Sequence, residues 1–215
     1  MYRRDVEPVN KFIYCQELAS HHDDVTMSTA ATKSTGITPQ DLRIIRYPDP
    51  RLRKVSRPVE LIDDALRALA DRMLQLMRED RGVGLAAPQV GINLRLFVMN
   101  PTGKPTDDRV YVNPELTDAA GDEEADEGCL SLPKITVKVV RSRRLRLRAV
   151  DLDGKPIEEE ADGYVARIWQ HENDHLDGIL ILDKMSPLEK LGARKTLKEL
   201  EEEYAARHPG WKKKR

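Results

Sequence analysis

The sequence predicts an α+β fold in which a mostly antiparallel sheet packs around a central helix, with an additional helix at the C-terminus. Short strand-like segments fill the middle of the chain, whereas helical periodicity dominates on either side of them. This order is typical of antiparallel sheets with helices segregated from the strands. The 215 residues are enough for one domain with a proper core plus tails.

The helix before the strands is predicted from an apolar stripe. Its apolar residues recur every three or four positions and therefore share one face. They are Ile62, Leu66, Leu69, Met73 and Leu76. Asp63 and Asp64 favour a helix start there, because acidic side chains stabilise the positive end of the helix dipole. The pattern runs to about Glu79, before Gly82 and Gly84 interrupt it.

Four segments are predicted to be strands from their β-branched or alternating residues. They are residues 94–99, 110–112, 135–140 and 144–150. The last alternates arginine with apolar residues, which indicates a half-buried strand with one basic face. The acidic segment before Cys129 is expected to be a loop, and a turn at 151–154 is expected to lead to the next helix.

That next helix follows Asp162-Gly163 and carries the pattern His-Glu-x-x-His. Its start is supported by apolar residues at helical spacing, Val165, Ile168 and Trp169. Gly178 stands where a left-handed residue would end the helix. The segment is therefore predicted to be the central helix of the fold.

The spacing of the two histidines in this helix indicates a metal site. Residues four apart lie on one face, so His171 and His175 can offer two imidazole nitrogens to one ion. Glu172 lies beside the first ligand and can reach a water on that ion, which is the layout of metal-assisted hydrolysis. A lone histidine would more often be structural, but two flanking a glutamate favour a metal-binding helix.

A third ligand is needed, and Cys129 is the best-placed candidate. It lies in Glu127–Ser131, whereas Cys15 and the remaining histidines lie in the predicted tails. A lone cysteine is more often a small buried apolar residue than a ligand. However, a catalytic site with two histidines lacks one protein ligand, because such sites keep three and leave one position open.

The segment Gly82–Gln89 is the third unusual stretch. It resembles a phosphate-binding glycine loop only superficially, since it lacks the Gly-Lys-Ser/Thr ending and a third glycine at dinucleotide spacing. One interpretation is a helix-ending turn with small residues packed against the sheet. The other is a close-fitting wall for an extended substrate, with the Gln89 amide as hydrogen-bond donor.

Residues 82–89, 127–131 and 170–175, in this order, resemble the three signature motifs of the peptide deformylase family. The resemblance extends from about residue 42 to about residue 187. It implies removal of the formyl group from the N-terminal formylmethionine of newly made polypeptides, with release of formate. It also implies site residues by position: metal ligands Cys129, His171 and His175, the general acid/base Glu172, and oxyanion donors from the Gln89 side chain and the Leu130 N–H.

The same resemblance implies how substrate and metal are held. Gly84 and the backbone of Glu127 and Gly128 would flank the peptide, and Val83 would help line the methionine pocket. Family members typically use Fe²⁺, with zinc, nickel or cobalt as substitutes, and a thiolate with imidazoles suits iron. Many relatives carry a basic residue near 134–136 that holds the peptide, but none aligns clearly here.

The sequence is compatible with two other functions. A zinc endopeptidase would need a third His or Glu downstream of His175, and Glu189 is a candidate, although it belongs to a predicted capping box. A binding module with structural zinc would need four protein ligands, and a fourth is missing from the motifs. Cleavage of an unformylated internal peptide bond would favour the first of these.

The two ends of the chain are predicted to differ from the middle. Residues 1–40 are expected to be a disordered extension because their middle is small and polar, with Met27 as an alternative start. Residues 41–186 would form the catalytic domain, and 187–215 a C-terminal helix and basic tail. Ser186–Glu189 forms a capping box at the start of that helix. In bacterial relatives this helix contacts the ribosome, and a basic tail would suit rRNA phosphates.

Composition limits the alternatives further. With 36 basic and 37 acidic residues, the net charge of −1 argues against a general nucleic-acid binder. No run of eighteen apolar residues indicates a membrane-spanning helix, and no signal peptide is convincing. Two cysteines do not make a disulfide framework. These features predict a cytoplasmic protein without a membrane partner.

Overall fold

The framework of the fold is a five-stranded antiparallel sheet, seen in a computed structural model that describes residues 38–212. The strands, hydrogen-bonded in chain order, are β1 (Gly84–Ala86), β2 (Leu96–Met99), β3 (Arg109–Cys129), β4 (Leu132–Val150) and β5 (Pro156–Asp162). The helices are α1 (Asp64–Glu79), α2 (Tyr164–Leu176) and α3 (Pro187–Arg207). The α+β class with a central helix and a C-terminal helix is confirmed.

Helix α1 begins and ends where its sequence pattern predicts. The Asp63 carboxylate accepts a hydrogen bond from the Leu66 N–H at 2.9 Å, so it caps the helix. The apolar stripe is the buried face and packs with residues of β1 and β2, among them Leu85 and Val98, in one core cluster. This packing supports β1 from behind, and β1 carries part of the candidate site.

Three of the four predicted strands are too short, the strand predicted at 94–99 starts two residues before β2, and the predicted acidic loop is wrong. Residues 110–112 are only the beginning of β3, while 135–140 and 144–150 belong to one continuous strand, β4. The acidic segment before Cys129 is the end of β3 and pairs with β4. Acidic side chains are tolerated there because one face of an antiparallel strand can remain in water and because β4 supplies partners such as Lys138, 3.8 Å from Glu124.

Strand β5 was not predicted at all. It lies between the turn at 151–154 and α2, and pairs along its length with β4. Its glutamates oppose the basic face of β4, with Arg146 and Arg148 both contacting Glu158. The sequence shows only a charged segment there, because the strand is stabilised by a partner that lies elsewhere in the chain.

Helix α2 packs against the sheet, and its limits follow from two glycines. Gly163, with φ of 62°, precedes the first turn, and Gly178, with φ of 73°, follows the last. The predicted left-handed position at Gly178 is therefore confirmed, and a Cβ there would lie only 2.7 Å from the Arg53 carbonyl oxygen. Trp169 is 1% exposed and meets Tyr111 edge-on, with ring centroids 6.0 Å apart. This packing holds the motif inside the protein.

Helix α3 starts with the predicted capping box. The Ser186 hydroxyl accepts from the Glu189 N–H, and the Glu189 carboxylate accepts from the Ser186 N–H. Leu200 is buried, whereas Leu188 and Leu191 are exposed, so mainly the second half of the helix packs on the domain. No helix within residues 38–212 is long and apolar enough to cross a membrane. The predictions for residues 1–37 and for most of the basic tail lie outside the described residues.

Candidate active site

A cleft of about 430 Å³ opens between β1, the turn that joins β3 to β4, and α2. Nine of the ten predicted site residues line it: Val83, Gly84, Gln89, Glu127, Gly128, Cys129, Leu130, His171 and Glu172. The tenth, His175, is 1% exposed and lies behind the wall of the cleft. Three segments that are distant in sequence therefore meet in one place.

The three predicted metal ligands converge at this cleft. The Cys129 sulfur and one ring nitrogen from each of His171 and His175 all lie within 4.8 Å of one another. Cys129 Sγ is 3.3 Å from His175 Nε2. One thiolate and two imidazoles form a donor set that suits zinc or iron. Within residues 38–212 the group has three members, as in catalytic sites that leave a coordination position open.

The third ligand is placed by the end of a strand. Cys129 is the last residue of β3, and the pairing with β4 shifts register between Gly128 and Cys129. Such irregularities redirect side chains. The shift lies next to the sharp connection through Leu130 and Ser131 into β4. The cysteine thereby reaches α2, although it is more than forty residues away in sequence.

Glu172 is a buried carboxylate with spare hydrogen-bonding capacity. Burial raises its pKa to about 7, although nearby His171 and Arg141 act in the opposite direction. Its Oε2 atom has no hydrogen-bond partner among the described residues. A carboxylate tuned in this way is suited to accept and return a proton near neutral pH.

Gly84 allows Glu172 to occupy this position. A Cβ added at Gly84 would lie 2.3 Å from Glu172 Oε1, much closer than any real contact. The predicted helix-ending turn accounts only for the start of residues 82–89, where the Gly82 N–H donates to the Met77 carbonyl oxygen at the end of α1. Gly84 starts the edge strand β1, and Ala87–Val90 forms a short 3₁₀ helix. The glycine is required by the close approach of the glutamate.

The orientation of Gln89 is set by the backbone. Its Oε1 accepts from the Ala86 N–H at 2.8 Å, so its Nε2 must point the other way. That nitrogen lies 3.6 Å from Cys129 Sγ and 3.3 Å from the Ser131 hydroxyl. An N–H donor therefore faces the candidate metal ligands from the β1 side.

The Glu127 side chain has a role that the sequence did not indicate. It is buried, accepts hydrogen bonds from Arg141 and Arg167, and lies 3.0 Å from His171 Nδ1. Burial alone would raise the pKa of Glu127, but the hydrogen bonds from Arg141 and His171 hold it well below its ordinary range. Because the carboxylate is ionised, His171 Nδ1 is the donor, which leaves Nε2 free for a metal.

Several residues of the cleft were missed by the sequence analysis. Arg167 lines it and interrupts an otherwise apolar stretch of α2, four residues before His171, which was the available signal. Tyr164 lies at the exposed start of α2. Residues 134–136, where many relatives are expected to carry a basic residue, also line the cleft, with Lys134 exposed at a φ of 63°.

Glu189, the alternative third ligand, makes hydrogen bonds outside the metal-ligand group. Its carboxylate caps α3 and accepts from the Lys138 N–H at 2.8 Å. It does not belong to the group formed by Cys129, His171 and His175. The geometry that a zinc endopeptidase would need is thus not provided by this residue.

Comparisons with known proteins point to one family. The sequence model for polypeptide deformylase matches residues 41–191. A peptide deformylase from Alkalilimnicola ehrlichii is 46% identical over 160 residues, which cover 74% of this chain and 90% of that protein. One from Thermotoga neapolitana is 45% identical over 159 residues, covering 74% and 95%.

Solved structures of peptide deformylases share this fold. The peptide deformylase of Legionella pneumophila superimposes with a TM-score of 0.72 at 42% identity, covering 78% of this chain and 99% of that one. The enzyme of Plasmodium falciparum gives a TM-score of 0.75 at 38% identity, covering 77% and 99%.

Proposed function

Because this chain belongs to the peptide deformylase family, we propose that it removes the formyl group from the N-terminal formylmethionine of newly synthesised polypeptides and releases formate. The observation that carries the proposal is the convergence of Cys129, His171 and His175 beside Glu172 and Gln89 in one cleft. Hydrolysis of a small acyl group can use this set: three metal ligands, a general acid/base and an oxyanion donor.

The residues divide the chemistry between them. Cys129, His171 and His175 would hold a divalent metal ion, which when bound would act as a Lewis acid and help to activate water near neutral pH. Glu172 takes a proton from the attacking water as the water oxygen bonds to the formyl carbon. It then returns the proton to the leaving amine as the C–N bond breaks.

The developing negative charge on the formyl oxygen is stabilised by two donors. The Gln89 Nε2–H comes from the β1 side and the Leu130 N–H from the turn after β3, and such preorganised donors contribute most in the transition state. The backbones of Gly84, Glu127 and Gly128 flank the peptide, and Val83 contacts the methionine side chain. A site closed by Gly84 and Glu172 favours formyl over larger acyl groups.

We propose that the protein works in the cytoplasm. We also propose Fe²⁺ as the native metal, with nickel, cobalt or zinc as substitutes. The thiolate ligand supports iron, because it cancels one positive charge on the ion and suits that metal. An iron–thiolate site should lose activity in air through oxidation of metal and sulfur. Within residues 38–212, Cys129 is a free cysteine.

The test is formate release by anaerobically purified protein, with metal content measured on the same sample. Formyl-Met peptides should yield formate, and the unformylated peptide should not be cleaved. Cys129→Ser should lose most of its iron, since a hydroxyl replaces the thiolate ligand, and its activity should fall in parallel. Full metal content and activity in Cys129→Ser would remove this residue from the ligand set. Internal cleavage of the unformylated peptide would favour the endopeptidase instead.

We also propose that α3 mediates a contact with the ribosome. Two features of its first half support this: Leu188 and Leu191 are 78% and 65% exposed, and Lys190 and Arg194 lie on the same segment. An apolar strip with basic neighbours suits a ribosomal surface with phosphates nearby. Wild-type protein should sediment with ribosomes at low salt and be released as salt rises, whereas Leu188→Ser/Leu191→Ser should stay in the supernatant. Equal sedimentation of both would contradict the proposal.

A further inference from the structure

One buried arginine joins the strand that carries the cysteine ligand to the helix that carries both histidines. Arg141 of β4 donates to both carboxylate oxygens of Glu127, at 2.6 and 2.8 Å. Its remaining terminal nitrogen donates to Asp174 of α2 at 2.7 Å. The Arg141 side chain is only 4% exposed. Glu127 lies two residues before Cys129, and Asp174 lies one residue before His175.

The geometry of these contacts gives Arg141 two effects on the ligands. Through Glu127, it fixes the position of the carboxylate that lies 3.0 Å from His171 Nδ1, so that nitrogen is engaged and Nε2 is the one left for a metal. Through Asp174, it holds α2 at a constant distance from the end of β3. A planar guanidinium suits this double contact, because its donors point in different directions from a rigid plane.

We propose that Arg141 is a positioning residue for the metal site: it sets the spacing between Cys129 and the two histidines and, through Glu127, the ligating nitrogen of His171. The proposal rests on the metal site put forward above. The side-chain hydrogen bonds of Arg141 go to Glu127 and Asp174, so it acts on the ligands through these two carboxylates.

The fold is expected to tolerate the loss of Arg141, so the effects of that loss should fall on the metal site. Each of its partners has a second cation, Arg167 at 2.8 Å from Glu127 and Lys184 at 3.2 Å from Asp174. Loss of Arg141 therefore leaves neither carboxylate without an opposite charge, which lessens the usual penalty for an unpaired buried ion. The fold should survive, while the link between strand and helix is lost.

The test uses Co²⁺ as the probe, bound to metal-free wild type, Arg141→Met and Arg141→Lys. The dissociation constant is measured by competition with a chelator, and the visible spectrum reports thiolate and imidazole ligation. Arg141→Met should bind Co²⁺ about 10–100-fold more weakly, as expected for loss of a residue that orients ligands, with an altered thiolate band. Arg141→Lys should fall between, because an ammonium group cannot contact both carboxylates with the same geometry.

The matched control is Arg148→Met on the same strand. Arg148 is 56% exposed and contacts Glu158 of β5, so this variant also removes an arginine and an ion pair from β4. Its Co²⁺ affinity and spectrum should equal those of the wild type. An unchanged affinity and spectrum in Arg141→Met would overturn the positioning role.

Two further results separate this inference from the proposed function. A wild-type protein that binds Co²⁺ without a thiolate band would refute the metal site itself. If circular dichroism shows that Arg141→Met is unfolded, Asp174→Ala takes its place, since it removes the link to α2, together with the Lys184 ion pair, and leaves Glu127 paired with Arg141. Asp174→Ala should weaken Co²⁺ binding in the same direction, and wild-type binding in that variant would overturn the inference.

Discussion

Glu172→Ala is expected to lower kcat for formate release by about 10²–10⁴-fold, the usual contribution of general acid/base catalysis, while metal content stays at the wild-type level. The reason is that Glu172 lies beside His171 but outside the group of candidate ligands. Its burial also raises its pKa to about 7, which suits a group that both accepts and returns a proton. The measurements are kcat and metal content on the same preparation.

Glu172→Gln is the matched variant, because it keeps the size of the side chain and removes its charge and basicity. It should be as inactive as Glu172→Ala and equally loaded with metal. Since Gly84 contacts this side chain closely, similar losses in both variants would exclude a simple packing effect. Loss of metal together with activity would instead make Glu172 part of the metal site and contradict the mechanism.

Gln89→Leu is expected to lower kcat by about 10²–10³-fold, equivalent to roughly 2.7–4 kcal/mol, through loss of one oxyanion donor. KM for a formyl-Met peptide should change much less, because the interaction strengthens mainly in the transition state. The structure adds an expected cost in stability. Gln89 Oε1 accepts the Ala86 N–H, so leucine removes this buried hydrogen bond, at about 1 kcal/mol in the free energy of unfolding.

Ser131→Ala provides the control for Gln89. It removes the hydroxyl that lies 3.3 Å from Gln89 Nε2 but leaves the amide and its bond to Ala86 in place. Its kcat should therefore stay much closer to the wild-type value, and metal content should be unchanged in both variants. An unchanged kcat with a raised KM in Gln89→Leu would place this residue in substrate binding, with the oxyanion left to the metal and the Leu130 N–H.

The helices were predictable because their signals are local. The cap at Asp63, the glycines around α2 and the box at Ser186–Glu189 act within a few residues of the elements they delimit. The strands were predicted less well for the opposite reason. The acidic end of β3 and all of β5 are strands because β4 lies beside them, and pairing with a distant segment leaves little trace in a single sequence.

The candidate site shows the same difference between local signals and contacts of distant segments. The sequence by itself determined which donor types are present and that His171 and His175 share a helix face, because helical spacing depends only on neighbouring residues. Only the tertiary structure decided that Cys129 lies 3.3 Å from His175. It also decided that the Ala86 N–H orients the Gln89 amide and that hydrogen bonds from Arg141 and His171 lower the pKa of the buried Glu127. Burial and charge pairing depend on every element packed around a group, so they arise only when the distant segments have met.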